Sequence, residues 1–261
     1  MSARRGVARA AVAVCCTGVL LTGCGGERPA PEPAGARKPA PTRPAASGHS
    51  GPGAASAPAA GAPRPAPLGA LGPATLKRVP LGTSQALVVT GEGVNSPDSS
   101  AVLYERGAGR AWRAVAGPWP AHNALRGWTP DHRADDLRSP VGVFRLRDAG
   151  GRLPDPGTAL PYDEDPEFAD SGTGFLGESL EGSFDYVIAI DYNRVPGTSP
   201  LNKSRPLGEA AGGGIWVHVD HGGPTRACVS LAVEEMEKLL RRLDPGKEPV
   251  IVMGDAASLA R

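Results

Sequence analysis

The apolar residues of this chain fall into short runs separated by Gly, Pro, Asn and Asp. Residues 85–90 and 101–105 form two such runs, and 110–115 and 141–146 alternate apolar with polar positions. Residues 186–192 and 215–219 are denser and β-branched, and 249–253 close the series. Short runs rich in Val and Ile, bounded by turn formers, predict strands. With so many of them and so little helical periodicity, the expected fold is mainly β.

One segment follows the other period. Over 231–243, Met236, Leu239, Leu240 and Leu243 recur at helical spacing, which predicts one amphipathic helix. Ser230 is its expected N-cap, Glu234 and Glu235 suit the first turn, and Arg241 and Arg242 suit the last. Asp244-Pro245-Gly246 stops it. On this reading Cys228 lies just before a helix N-terminus.

Upstream of residue 76 the pattern disappears. From Gly25 to Ala74 the chain is Pro, Ala, Gly and Arg with scattered Ser, and almost no large apolar residue. Such a segment buries too little surface to offset its ordering entropy, so 24–75 is expected to be a disordered tether. About 50 residues of this kind span roughly 40 Å as a coil and on the order of 150 Å as polyproline. Residues 76–261 then form one domain of ordinary size. Residues 1–23 carry Arg4 and Arg5 ahead of a small-residue apolar run too short to span a bilayer. They read as an export signal. The run ends in Leu21-Thr22-Gly23-Cys24, which resembles the lipobox of bacterial lipoproteins. Cys24 is therefore the expected lipidation site and the membrane a partner through that lipid, with the domain working in the cell wall.

Lys and Arg number 28 against 27 Asp and Glu, a formal net charge of +1, so nothing electrostatic points to nucleic acid. Of 4 cysteines, Cys15, Cys16 and Cys24 lie in or at the end of the signal. Cys228 is the only one in the domain and has no disulfide partner there. His218 precedes it at the end of a strand-like run, across Gly222-Gly223-Pro224. A thiol, an imidazole and the N–H groups of residues 226–228 as an oxyanion hole describe nucleophilic acyl chemistry. A helix N-terminus beside the thiol would lower its pKa.

The stretch from Ile215 to Ser230, with His218, Thr225 and Cys228, resembles the catalytic motif of the L,D-transpeptidases. Ser139-Pro140-Val141-Gly142-Val143-Phe144 resembles that family's Thr-Pro-x-Gly-x-Phe strand. The resemblance covers most of 80–254. It implies a β-sandwich with one helix after the catalytic cysteine. It further implies Cys228 as nucleophile, His218 as base, and a carbonyl near Val219 orienting the imidazole. Thr225, Arg226 and Ala227 would support the loop and its oxyanion donors, and Trp216, Tyr192 and Asn193 would border the substrate. The implied reaction joins peptidoglycan stem peptides through a cysteinyl thioester, without a cofactor, and is open to carbapenem-type β-lactams. Two departures stand out: Arg226 replaces the family's second histidine, and Ala227 replaces a glycine. If position 227 required positive φ, alanine there would cost about 1 kcal/mol or more.

Two other readings compete. A silent peptidoglycan-binding relative would keep the fold and lose the chemistry. A zinc-dependent wall peptidase would use His218, Asp220, His221 and Cys228 as ligands. His221 is expected in a solvated turn, His122 and His132 on a loop, and Asp163, Glu164, Asp165 and Glu167 in a solvated acidic loop.

Overall fold

The computed structural model describes residues 68–107 and 111–261. The export signal, Cys24 and the tether up to residue 67 lie outside the described residues. The folded region starts upstream of 76. Leu68 and Leu71 are buried, and a short helix α1 (Pro73–Arg78) follows them.

Eleven strands account for most of the regular structure. They are β1 (Gln85–Gly91), β2 (Asp98–Arg106), β3 (Trp112–His122), β4 (Trp128–Thr129) and β5 (Ser139–Pro140). Then come β6 (Gly142–Gly151), β7 (Tyr162–Glu164), β8 (Val187–Ile190), β9 (Trp216–Val219), β10 (Val229–Leu231) and β11 (Val250–Asp255). The main sheet runs β11-β1-β2-β3-β10-β9-β8-β6-β7, and β6 also pairs with β11. The mainly β expectation holds. The two faces that a sandwich would stack are one continuous sheet, closed into a barrel-like ring through β6 and β11.

The core explains why some strands read as unbroken apolar runs. Leu87 and Val89 of β1 join the main cluster with Leu103, Ile188, Val217, Val229 and Ile251. Their neighbours Ala86 and Val88 face a second cluster with Val250, Val252, Leu68 and Leu259. β1 and β11 are thus buried on both faces, which removes the alternation a half-buried strand would show. The second cluster is tied down by the chain on either side of the barrel: the Gly72 N–H donates to the Leu259 carbonyl at 2.8 Å. Leu259 belongs to a short helix, α3 (Ala256–Leu259).

The predicted helix exists as α2 (Val233–Arg242), and Met236, Leu239 and Leu240 are its buried stripe. Its start is corrected. Ser230 is not the N-cap; it lies within β10, and Ala232 takes that position without a side-chain cap. A strand therefore separates Cys228 from the helix N-terminus. The cause is the parallel pairing of β10 with β9, which claims Val229, Ser230 and Leu231 as sheet.

Candidate active site

The register of β9 and β10 builds the site. The strands are parallel, with Val217 opposite Val229 and His218 opposite Ser230. Val217 and Val229 point into the core. Because side chains alternate along a strand, His218 and Ser230 point to the opposite face. Cys228, one residue before β10, falls on that same face across from Trp216. The Trp216 N–H donates to Cys228 Sγ, at 3.4 Å.

His218 is 3 % exposed. Its Nδ1 lies 2.8 Å from the Val219 carbonyl. A carbonyl only accepts, so Nδ1 carries the proton and Nε2 is the unprotonated nitrogen; the Ser183 carbonyl also acts on the ring. Phe184 meets the ring edge-on at 5.5 Å, and His221 stacks on it with centroids 5.7 Å apart. Burial pulls the His218 pKa down to about 4, against the raising effect of the Val219 carbonyl. The imidazole is therefore neutral at physiological pH.

Burial acts on the thiol in the opposite direction. Cys228 is pushed up to about 11, and the Trp216 N–H opposes this only in part. The expectation of a thiol activated by a helix dipole is corrected, because α2 begins beyond an intervening strand and desolvation dominates. His218 and Cys228 line the same cavity of about 470 Å³. No direct hydrogen bond joins them.

The loop before Cys228 is held firmly. Thr225 Oγ1 donates to the Cys228 carbonyl at 2.7 Å, and Ser139 Oγ donates to the same oxygen at 3.3 Å. The Thr225 N–H donates to the Asn123 carbonyl at 2.9 Å, and the Thr225 carbonyl accepts from the Leu125 N–H at 2.9 Å. The N–H groups of Arg226, Ala227 and Cys228 have no backbone acceptor among the described residues. Arg226, Ala227 and Cys228 line the cavity. Ala227 is not among the residues with positive φ, so the alanine sits there without left-handed strain.

Several expected site residues lie elsewhere. Trp216 packs edge-on against Phe184 and Phe168, and only its backbone reaches the thiol. The Tyr192 hydroxyl donates to the Ala211 carbonyl at 2.9 Å. Asn193 Nδ2 donates to the Gly208 and Gly212 carbonyls, and Asn193 Oδ1 accepts from the Leu207 N–H. Tyr192 and Asn193 therefore brace the loop carrying Gly212, Gly213 and Gly214 rather than lining the cavity. Those three glycines do line it. At Gly212, φ is +69° and a Cβ would meet His132 Nε2 at 2.8 Å, so glycine is required by both backbone and space.

His132 lies on a loop between β4 and β5, as expected, whereas His122 and His221 differ from expectation. The His221 side chain is not solvated: it is 5 % exposed, with Nδ1 3.2 Å from Glu178 Oε1. His132 is buried within 3.1 Å of Asp136 Oδ1. His122 ends β3, and its Nδ1 donates to Asp220 Oδ1 at 2.7 Å. Asp220 also accepts from Ser230 Oγ and from the Gly222 N–H. These hydrogen bonds hold the Asp220 carboxyl down at about 2 despite burial. The set His218, Asp220, His221 and Cys228 is thus divided among separate partners and does not converge on a zinc position. Sequence reasoning missed the opposite wall, where Asp170, Phe175, Ser183 and Phe184 line the cavity. That wall has no apolar period to betray it. The Gly212-Gly213-Gly214 run before β9 was the one available signal.

No protein-family model matches the chain, and no curated protein matches it. Among solved structures it is similar to the helical cell shape determining protein Pgp2 from Campylobacter jejuni, at 16% identity and a TM-score of 0.34. The match covers 66% of this chain and 48% of that one.

Proposed function

We propose that the domain is a cysteine acyltransferase of the L,D-transpeptidase kind, acting on peptidoglycan stem peptides outside the cytoplasmic membrane from a lipid anchor at Cys24. One observation carries the reading: a neutral imidazole with its Nδ1 held by the Val219 carbonyl borders the same cavity as the thiol of Cys228. The sequence resemblance supplies the substrate class.

The chemistry then runs in two stages. As Cys228 Sγ attacks a peptide carbonyl, its proton passes to His218 Nε2. The S–C bond forms, and the carbonyl oxygen takes the negative charge among the free N–H groups of 226–228. The C–N bond breaks, and the leaving amine takes the proton from His218. An acceptor amine, or water, releases the thioester by the reverse sequence. With the thiol near 11 and the imidazole near 4, the resting pair is neutral. Proton transfer must therefore accompany attack rather than precede it.

The test is the intact mass of the protein after exposure to a carbapenem. An adduct that maps to Cys228, and is absent from Cys228→Ala, is expected. The high thiol pKa and the lack of a His218–Cys228 hydrogen bond favour one second reading, a silent binding relative. A folded protein that alkylates slowly at Cys228 and never acylates would select it.

A further inference from the structure

We infer that Glu178 is a positioning residue that latches the opposite wall of the cavity to the turn carrying His221, and that this latch keeps water from the Cys228 thiol. The inference rests on the proposed acyl transfer only for its effect on acylation.

That wall is a small hairpin between β7 and β8. Thr173 bridges Ser179, the Gly174 N–H donates to the Glu178 carbonyl at 2.8 Å, and the Leu180 N–H donates to the Gly172 carbonyl at 3.1 Å. Thr173, Gly174, Phe175 and Leu180 line the cavity that Cys228 also lines. Among the described residues, the backbone–backbone hydrogen bonds of 172–180 all close within 172–183. The backbone therefore does not tie the hairpin to the barrel, and side chains must. Arg226 over the Phe175 ring, 5.7 Å from its centroid, is one such contact, and both its partners are exposed. Glu178 makes the buried one.

The Glu178 side chain is 13 % exposed. Its Oε2 accepts from the Leu176 N–H at 2.7 Å, within the hairpin. Its Oε1 lies 3.2 Å from His221 Nδ1, at ion-pair distance but off the line of a hydrogen bond. Two glycines make room for it. A Cβ at Gly174 would stand 2.0 Å from Oε1, and a Cβ at Gly223 would stand 2.1 Å from it. Neither glycine has a positive φ, so the carboxylate, not the backbone, requires them. Gly174 belongs to the hairpin and Gly223 to the turn after β9. The carboxylate thus fills a slot whose two sides are the two segments it joins. Backbone N–H donors hold its pKa below the ordinary carboxylate value, with His221 adding to the effect, so the latch is charged at physiological pH. Its far end is His221, which stacks on His218. Without it the hairpin is free to lift, and water reaches a thiol whose high pKa is caused by desolvation.

The test is the rate of iodoacetamide alkylation in the full chain at neutral pH, read by mass on the peptide that holds Cys228. Glu178→Ala should raise it about tenfold, as water returns and the thiolate fraction grows. Gly223→Ala should do the same, because its methyl group displaces the carboxylate. The double variant should match Glu178→Ala alone, since nothing is then left to displace. Glu178→Gln, which keeps the shape and loses the charge, should also raise the rate, and it serves if Glu178→Ala does not fold. An unchanged rate in the Glu178 variants overturns the inference. So does a Gly223→Ala effect that persists in the Glu178→Ala background, which would mark Gly223 as merely structural. Carbapenem acylation is scored separately and should fall in the variants whose alkylation rises. Acylation of the unmodified chain with no change in alkylation among the variants sinks only the latch. The expected alkylation pattern with no acylation of the unmodified chain sinks the acyltransferase reading and leaves the latch standing.

Discussion

The imidazole of His221 lies over that of His218 with the two planes 10° from parallel. The lower ring is thereby shielded from water on a face that a solvated turn would have left open. His221 also lowers the His218 pKa through its charge, although burial is the larger cause.

For the proposed acylation, this arrangement sets where the acid limb should fall. With His218 at about 4, the rate of carbapenem acylation should stay flat from neutrality downward and fall by half only near that pH. His221→Gln should move the limb to higher pH, because a neighbour that disfavours the imidazolium is removed. Stopped-flow acylation rates across pH read both; a wild-type limb near 6.5 would contradict the buried, neutral imidazole.

The same burial makes the fold acid-sensitive. His218 binds a proton at 6.5 when unfolded and only near 4 when folded, so the unfolded state binds more protons in that window. The His218 contribution is full above 6.5 and declines as pH falls towards 4, by roughly 3 kcal/mol. His218→Gln should flatten this decline in urea unfolding curves measured between those values. Asp220, held at about 2, contributes stability that is complete well above its ordinary carboxyl pKa and is lost as pH falls through that value towards 2, mostly below the His218 window.

A thiol held at about 11 alkylates slowly. The iodoacetamide rate at Cys228 should rise about tenfold per pH unit from 7 to 10, following the thiolate fraction. A plateau by pH 8 would mean that the thiol is already activated at rest. Cys228→Ala should abolish acylation and cost no more than about 1–2 kcal/mol, because what it leaves unpaired is the Trp216 N–H.

Thr225 acts through the loop. Thr225→Val removes the hydrogen bond to the Cys228 carbonyl while keeping shape, and should slow acylation and cost about 1 kcal/mol. Thr225→Ser keeps the donor and should recover most of the rate. Equal loss in both variants would point to the methyl group instead.

Asp220→Asn removes the carboxylate that raises the His122 pKa. The His122 titration followed by NMR should then move downward towards its ordinary value.

Much of the barrel was legible because burial writes itself into the strands. Residues 85–90, 215–219 and 249–253 lie in or across β1, β9 and β11, and the last of these is unbroken because both its faces are covered. Ser230 misled because a hydroxyl before an amphipathic run reads as a cap; here that hydroxyl belongs to Asp220. His218 and Cys228 could be paired from the sequence because ten residues and a Gly-rich turn separate them. Glu178 and His221 could not, since nothing local announces that a turn residue will be covered by a distant loop. Tyr192 and Asn193 were misplaced for a related reason: a polar residue after a strand can brace a neighbouring loop as readily as touch a ligand.

β11 sits between β1 and β6, parallel to one and antiparallel to the other. It is the keystone of the ring and also its last strand in chain order. A polypeptide cut short before residue 250 would keep every residue of the cavity yet present two bare sheet edges at once, each a template for joining a neighbouring molecule. Closure of the ring then waits for the last strand, after every residue of the cavity has been made.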